Sequence, residues 1–321
     1  MKALITGITG QCGSYMAELL LSKEYDVYGM VRRNSTNNTE RIYHILSHSK
    51  LKLVNGDLSD QQSLNNIIRD VQPDEIYNFA AQSFVPVSFQ QPTFTGDVTG
   101  LGVTRILEAV KNECPTARFI QASTSEMFGQ VQEEPQNENT PFYPRSPYGI
   151  AKLYGYWMVR NYRESYGLFL SNAINFNNES PRRGSEFVTR KITQAAVKIY
   201  KGKQKKLYLG NLDAERDWSH SADIVFGMWM ALQQEQPDDF VFASGEKHTV
   251  REFCDIAFNC VNLNYKDYVE INPRFWRPAE VSTLLGDYTK AKNILGWKPR
   301  ISFQSLIEMM VNNDLNLQEK T

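Results

Sequence analysis

The sequence predicts an α/β chain built on a doubly wound parallel sheet, with a smaller, mostly helical lobe attached. Three observations predict it. Short apolar runs alternate with stretches of helical periodicity through the first half, glycines punctuate the chain directly after the first run, and the pattern changes near Phe176. Strand and helix in strict alternation imply parallel strands with crossover helices on both faces.

The elements follow in order. Strands are expected at Lys2–Thr6, Asp26–Val31, Leu51–Asn55, Glu75–Phe79, Arg118–Ala122 and Leu170–Asn175. Helices are expected between them near Gly13–Ser22, Gln61–Val71, Gly100–Cys114 and Pro147–Tyr166. After Phe176, Gly, Pro, Arg and Asn crowd residues Asn177–Ser185, and helices then dominate, as in Phe187–Tyr200 and Val250–Val261. A late strand is expected at Phe240–Ala243. This divides the chain into residues 1–176, carrying the sheet, and 177–321, mainly the second lobe, with returns to the sheet from around 207–245. The sequence carries no repeat, low-complexity tract or flexible linker.

Composition narrows the function classes. The chain has 321 residues, a formal net charge of -1, 41% hydrophobic and 22% charged residues, ordinary for a globular protein with a sizeable core. That balance argues against nucleic acid as a main partner, since phosphate-backbone binding needs a basic excess. No leader pattern opens the sequence and no apolar run approaches the ~18–20 residues that span a bilayer, so a cytoplasmic protein without a membrane partner is expected. Cys12, Cys114, Cys254 and Cys260 include no Cys-x-x-Cys pair and are expected as free thiols. His44 and His48 stand at i, i+4, but no Glu follows His44 as the zinc-protease pattern requires; no metal site is expected.

The turn after the first strand reads Thr6-Gly7-Ile8-Thr9-Gly10-Gln11-Cys12-Gly13. Glycines there permit a tight turn, close approach of backbone to a pyrophosphate and close helix-on-strand packing. The helix N-terminus then offers unpaired N–H groups and the positive end of its dipole to phosphate. The spacing is Gly-x-x-Gly-x-x-Gly, and its place after an opening strand predicts a dinucleotide bound along Gly7, Thr9, Gly10, Gln11, Cys12 and Gly13 on a Rossmann-type sheet. At the end of the second strand, where a carboxylate would accept from a ribose 2′-hydroxyl, stand Arg32 and Arg33. Guanidinium groups suit a 2′-phosphate, so NADP is favoured over NAD. Asp57 and Leu58 after the third strand fall beside the adenine, and Ala80, Ala81 and Gln82 after the fourth line the cofactor cleft.

The catalytic candidates cluster after the fifth strand. Tyr148 and Lys152 stand at i, i+4 on one face of the helix that Pro147 helps to open. Tyrosine ionises near pH ~10, too high for a base at neutral pH. An ammonium about 4 Å away contributes on the order of 4 kcal/mol at an effective dielectric of ~20, an upper bound that would bring the phenol into working range. The fifth strand ends in Ser123-Thr124-Ser125-Glu126, and ligands of an open parallel sheet bind beyond the carboxyl ends of its strands. Thr124 can hydrogen-bond a hydroxyl undergoing oxidation. Glu126 is a carboxylate that a simple alcohol dehydrogenase does not need, whereas a dehydratase needs a second acid/base for an acidic C–H beside a new ketone.

Together, Thr6–Gly13, Arg32-Arg33, Ser123–Glu126 and the run Thr140–Tyr148 resemble the GDP-mannose 4,6-dehydratases of the extended short-chain dehydrogenase family. So do Asn177–Gly184, Phe187–Lys191, Arg216-Asp217-Trp218 and Arg277–Val281. The resemblance covers nearly the whole chain. It implies that Tyr148, Thr124 and Lys152 oxidise C4 of GDP-mannose with NADP, that Glu126 takes the C5 proton as water leaves C6, and that the hydride returns to C6. It further implies that Ser83, Asn177, Val188, Lys191, Arg216, Arg277 and Glu280 hold the GDP-sugar, and that the chain assembles as a homotetramer using the Arg33–Arg41 segment. Three positions depart from the family's usual residues: Cys12 for aspartate, Asn178 for histidine and Ser282 for aspartate. Cys12 is either a thiol activated by the helix N-terminus or a plain contributor of backbone N–H. Three alternatives stay open: a GDP-6-deoxy-4-ketohexose reductase or epimerase, a dehydratase of a related sugar such as GDP-manno-heptose, and a silent NADP-sensing protein.

Overall fold

The computed structural model describes residues 1–36, 38–275 and 279–318. Lys2–Thr6 (β1) leads into the helix Gln11–Ser22 (α1), then Asp26–Val31 (β2), a 3-10 segment at Glu40–Ile45, and Leu51–Asn55 (β3). Gln61–Val71 (α2) and Glu75–Asn78 (β4) follow, then the short helices Val85–Gln90 (α3) and Pro92–Thr95 (α4). A π turn at Gly96–Leu101 runs into Gly102–Glu113 (α5), Arg118–Thr124 (β5), Pro147–Tyr166 (α6) and Leu170–Asn175 (β6). These bounds match the periodicity within a few residues. The differences are the short helices α3 and α4, which the periodicity does not predict, and the π turn, which delays regular helix from Gly100 to Gly102.

The second half begins with Asn177–Glu179 (β7) and Val188–Tyr200 (α7), followed by Leu207–Leu209 (β8), Glu215–Arg216 (β9) and Trp218–His220 (β10). Ser221–Leu232 (α8) and Phe240–Phe242 (β11) return to the main sheet; His248–Thr249 (β12), Val250–Asn259 (α9), Val269–Ile271 (β13), Thr289–Leu295 (α10) and Phe303–Gln318 (α11) complete the chain. Short paired strands thus punctuate a lobe whose sequence reads as mostly helical: β10 with β7, β12 with β9 and β13 with β8. Runs of two or three residues carry no period, so only their pairing defines them.

Seven strands form one parallel sheet in the order β11-β6-β5-β4-β1-β2-β3. The order reverses between β1 and β4, and ligands of such sheets bind in the crevice outside that reversal. β4 and β6 are buried along their whole length, as expected of central strands covered on both faces. One face packs α1 and α8 with Ile5, Met16, Leu20, Ile224, Met228 and Trp297. The other packs α2, α5 and part of α6. A separate core of α7, α9 and α11 centres on Trp218, Phe253 and Phe303.

Local chemistry fixes the element ends. Ser146 Oγ caps α6 by accepting from Gly149 N at 3.0 Å, Pro147 takes the first turn, and Gly167 ends the helix at φ +65°. Thr249 and Glu252 form a reciprocal capping box on α9. Where the lobe meets the sheet, buried Asp217 gathers loop backbone: it accepts from Ser244 N at 2.6 Å, Gly245 N at 2.9 Å and Gly286 N at 3.3 Å. Among the described residues no helix is long and apolar enough to cross a membrane.

Candidate active site

A cleft of about 1040 Å³ runs over the carboxyl ends of the strands, a volume at the top of the range for small-molecule sites. At its floor the turn after β1 bends through Gly7 at φ +67°, where a Cβ would stand 2.9 Å from Ala80 N. A Cβ on Gly13 would sit 2.2 Å from the Gly7 carbonyl oxygen. No side chain fits at either point, so α1 starts directly against β1 and its first N–H groups face the cleft.

The structure brings every cofactor candidate to this cleft. Gly7, Thr9, Gly10, Gln11, Cys12, Gly13, Arg32, Arg33, Asp57, Leu58, Ala80, Ala81, Gln82, Tyr148 and Lys152 all line it, as do Thr124 and Glu126. Of the substrate candidates, Ser83, Asn177, Val188 and Lys191 line it too. Arg216 and Glu280 do not. They approach each other at 3.5 Å, and Glu280 opens onto a neighbouring depression with Glu133, Glu134, Arg145 and Ser282. Arg277 lies outside the described residues.

A hydrogen-bond relay crosses the strand ends. Ala80 N donates to Thr6 Oγ1 at 3.0 Å, and Thr6 Oγ1 donates to Asn78 Oδ1 at 2.5 Å. Asn78 Nδ2 donates to Gln121 Oε1 at 2.6 Å, and Gln121 Nε2 to the Ala122 carbonyl at 3.1 Å. The Lys152 ammonium donates to that same carbonyl at 2.6 Å. Thr6, Asn78 and Gln121 are fully buried, and the relay ends on the carbonyl that holds the lysine.

The i, i+4 spacing predicts a phenol lowered by its lysine, but the structure gives the opposite balance. Burial pushes the Tyr148 phenol well above its usual value; a hydrogen bond with Thr124 and the Arg183 guanidinium pull it back, and the Glu126 carboxylate adds to the rise. Lys152 spends its ammonium on Ala122 and lies 5.9 Å from the centre of the Tyr148 ring. Burial draws that ammonium down to about 8, with Cys12 opposing. Of the two readings of Cys12, the activated thiol is excluded. A helix N-terminus lowers a thiol, yet burial here pushes it up to about 11, which leaves a neutral S–H donor.

The cleft holds residues that spacing did not single out. Arg183 lies 3.5 Å from the centre of the Phe187 ring and 3.1 Å from buried Glu179, which accepts from Thr189 Oγ1 at 2.6 Å. Phe187 meets Phe84 edge-on at 5.2 Å, closing a wall between residues 103 apart in sequence. Further along, Lys191 stands 4.2 Å from the centre of the Phe275 ring, and burial together with Arg274 holds its pKa below the ordinary value. The Glu179–Arg183 spacing was readable, but these residues lie in a strand and turn, where helical i, i+4 logic does not apply.

The family model for GDP-mannose 4,6 dehydratase matches residues 4–310. The chain is 53% identical to GDP-mannose 4,6 dehydratase 2 of Arabidopsis thaliana, over 99% of this chain and 88% of that protein. It is 50% identical to the human GDP-mannose 4,6 dehydratase, over 98% and 91%. Among solved structures, a dTDP-glucose 4,6-dehydratase from Streptomyces venezuelae with NAD bound superposes at TM-score 0.89 and 23% identity, over 100% of this chain and 98% of that one. RMD from Pseudomonas aeruginosa, complexed with NADPH, gives TM-score 0.82 at 21% identity, over 98% and 99%. At those identities they share the fold.

Lys152 yields a test of the site's electrostatics. The unfolded chain keeps its proton up to about 10.5, the folded chain only to about 8, so folding grows more favourable as pH climbs between them and bears the full cost of burying the charge below 8. In chain stripped of nucleotide, Lys152→Met should raise the thermal midpoint by a few degrees at pH 7, and the gap should close toward pH 10. A lower midpoint for the variant at pH 7 would refute this balance.

Proposed function

The chain belongs to the GDP-mannose 4,6-dehydratase family, and we propose that it converts GDP-mannose to GDP-4-keto-6-deoxy-mannose over a resident NADP. The observation that carries this reading is a carboxylate in the cleft wall beside the phenol: Glu126 is buried, lines the cleft with Tyr148 and Lys152, and its charge is felt at the Tyr148 hydroxyl. An oxidation alone has no use for it.

The glycine turn fits a dinucleotide, because at Gly7 and Gly13 a side chain would fill the space the backbone needs. In this reading Gly7, Thr9, Gly10, Gln11, Cys12 and Gly13 take the pyrophosphate, Arg32 and Arg33 a 2′-phosphate, Asp57 and Leu58 the adenosine, and Ala80, Ala81 and Gln82 the ribose side of the cleft. When bound, the nicotinamide supplies a hydride acceptor at C4 of the sugar and a hydride donor at C6. The rest is proton chemistry. Tyr148, hydrogen-bonded to Thr124, would accept the C4 hydroxyl proton as a phenolate, a form that burial disfavours in the free chain. The positive charges of bound NADP⁺ and of Lys152, fixed on the Ala122 carbonyl, would favour it. Once C4 is a ketone the C5 proton is acidic, and Glu126 removes it and protonates the C6 hydroxyl as water leaves. Net redox is zero, so no external reductant is consumed.

Ser83, Asn177, Val188 and Lys191 are the GDP-sugar contacts that the cleft supports. Arg216 and Glu280 stand outside the cleft lining and Arg277 outside the described residues, so the family resemblance alone supports these three as GDP contacts. Four free cysteines suit a reducing, cytoplasmic setting. Self-association is supported by an apolar stripe on α6: Ile150, Tyr154 and Trp157 stand 57%, 40% and 51% exposed at i, i+4 and i+7, with Leu101 exposed nearby. We read the assembly as a homotetramer.

Two measurements test these readings. Purified chain incubated with GDP-mannose and no reductant should yield a product lighter by one water, and denaturation should release NADP rather than NAD. Glu126→Gln should bind GDP-mannose but lose turnover by at least the 10²-fold typical of a missing acid/base; an unchanged sugar mass, or full turnover by the variant, would refute the reading. Light scattering should give a tetramer that Trp157→Glu reduces to smaller species, and a monomeric native chain would rule out the assembly.

A further inference from the structure

Cys12 and Asn178, 166 residues apart in sequence, touch each other. Cys12 Sγ donates to Asn178 Oδ1 at 3.0 Å. The same oxygen accepts from Gln11 Nε2 at 3.2 Å and from Ser221 Oγ at 3.1 Å. Gln11 Nε2 also reaches the Asn178 backbone carbonyl at 3.0 Å, and Ser180 Oγ closes the ring by donating to Gln11 Oε1 at 2.7 Å. Asn178 Nδ2 donates back to the Phe176 carbonyl at 3.3 Å.

The donors come from different elements. Gln11 and Cys12 open α1, directly after the glycine turn, and Ser221 opens α8. Asn178 sits in β7, next to Asn177 and in the segment that carries Arg183 into the cleft wall. An amide oxygen has two lone pairs, so three donors on it compete. A displacement of Gln11 or Cys12 on the dinucleotide side therefore changes what Asn178 can hold on the other side.

We propose that Asn178 is a positioning residue that couples the two halves of the cleft: filling the dinucleotide half preorganises the β7 segment that holds the GDP-sugar, and the reverse. The proposal rests on the NADP and GDP-sugar reading of the cleft. Coupling between sites is reciprocal in binding, so affinities report it without turnover.

The experiment is calorimetric titration of GDP into nucleotide-stripped chain, with and without saturating NADP⁺. In the native chain NADP⁺ should tighten GDP binding by roughly tenfold, within the usual range for coupled sites. Asn178→Ala should bring the ratio close to one, and Ser221→Ala should lower it in part. Cys12→Ser, which keeps a donor, should retain the ratio that Cys12→Ala loses. A contact that only supports the fold would weaken both titrations alike and leave the ratio intact. A native ratio of one, or a native-like ratio in Asn178→Ala, overturns the proposal. If Asn178→Ala does not fold, a native-like ratio in both Ser221→Ala and Cys12→Ala overturns it instead. A native chain that binds neither ligand overturns the reading of the cleft itself.

Discussion

The Ala122 carbonyl oxygen is the point from which the reacting end of the cleft is built. It ends a buried relay from Thr6 through Asn78 and Gln121, and it receives the Lys152 ammonium at 2.6 Å. The links Thr6–Asn78 and Asn78–Gln121 join neighbouring strands, so the ends of β1, β4 and β5 are held level, and the last link, within β5, ends on the carbonyl that holds the lysine. Tyr148 stands one helical turn earlier on α6, whose start is itself fixed by the Ser146 cap and Pro147. Buried polar chains of this kind specify one arrangement because any broken link leaves an unpaired group in a low-dielectric interior. The floor at the dinucleotide turn is set by exclusion: Gly13 approaches Gly7 too closely for any side chain.

Burial at the site works against the free protein and in favour of the reaction. Both Tyr148 and Lys152 are pushed toward their neutral forms, which is the cost of a water-poor cleft. The same low dielectric strengthens every charge that develops there during turnover. Helices α7, α9 and α11 of the second lobe pack around their own aromatic cluster of Trp218, Phe253 and Phe303. The lobe's links to the sheet are apolar where Val281 and Leu284 share a core with Ile174, Phe176 and Val241, and polar through Asp217 and the loops it gathers and through Asn178 and the start of α1. The polar links are directional, so they fix orientation more than they add stability.

Much of this was legible in the sequence, for physical reasons that differ from residue to residue. Parallel strands buried on both faces read as apolar runs, so the six strands of the first half and the four long helices between them could be drawn to within a few residues, whereas the short helices α3 and α4 could not. Gly7, Gly10 and Gly13 followed from backbone geometry, and Tyr148 with Lys152 from helical spacing. What spacing could not supply was the environment. The phenol was expected to fall because a lysine stands near, yet burial outweighs that charge and the lysine points to a carbonyl instead. Cys12 was open between an activated thiol and a backbone donor, and only its contact with Asn178, 166 residues away, decides for a neutral side-chain donor. The Phe84–Phe187 wall and the Arg216–Glu280 approach were equally out of reach, since no local pattern records a contact between distant segments. The strands of two or three residues in the second lobe exist only through their partners.

The central claim is that one hydride leaves C4 of the sugar and comes back at C6 within a single closed cleft. Incubation with GDP-mannose carrying deuterium at C4 measures this directly, with mass spectrometry and proton NMR locating the label in the product. The account predicts that the deuterium stays in the molecule and appears at C6, while C5 takes its proton from solvent. Deuterium lost to the medium, or found on released nucleotide in proportion to turnover, would contradict it.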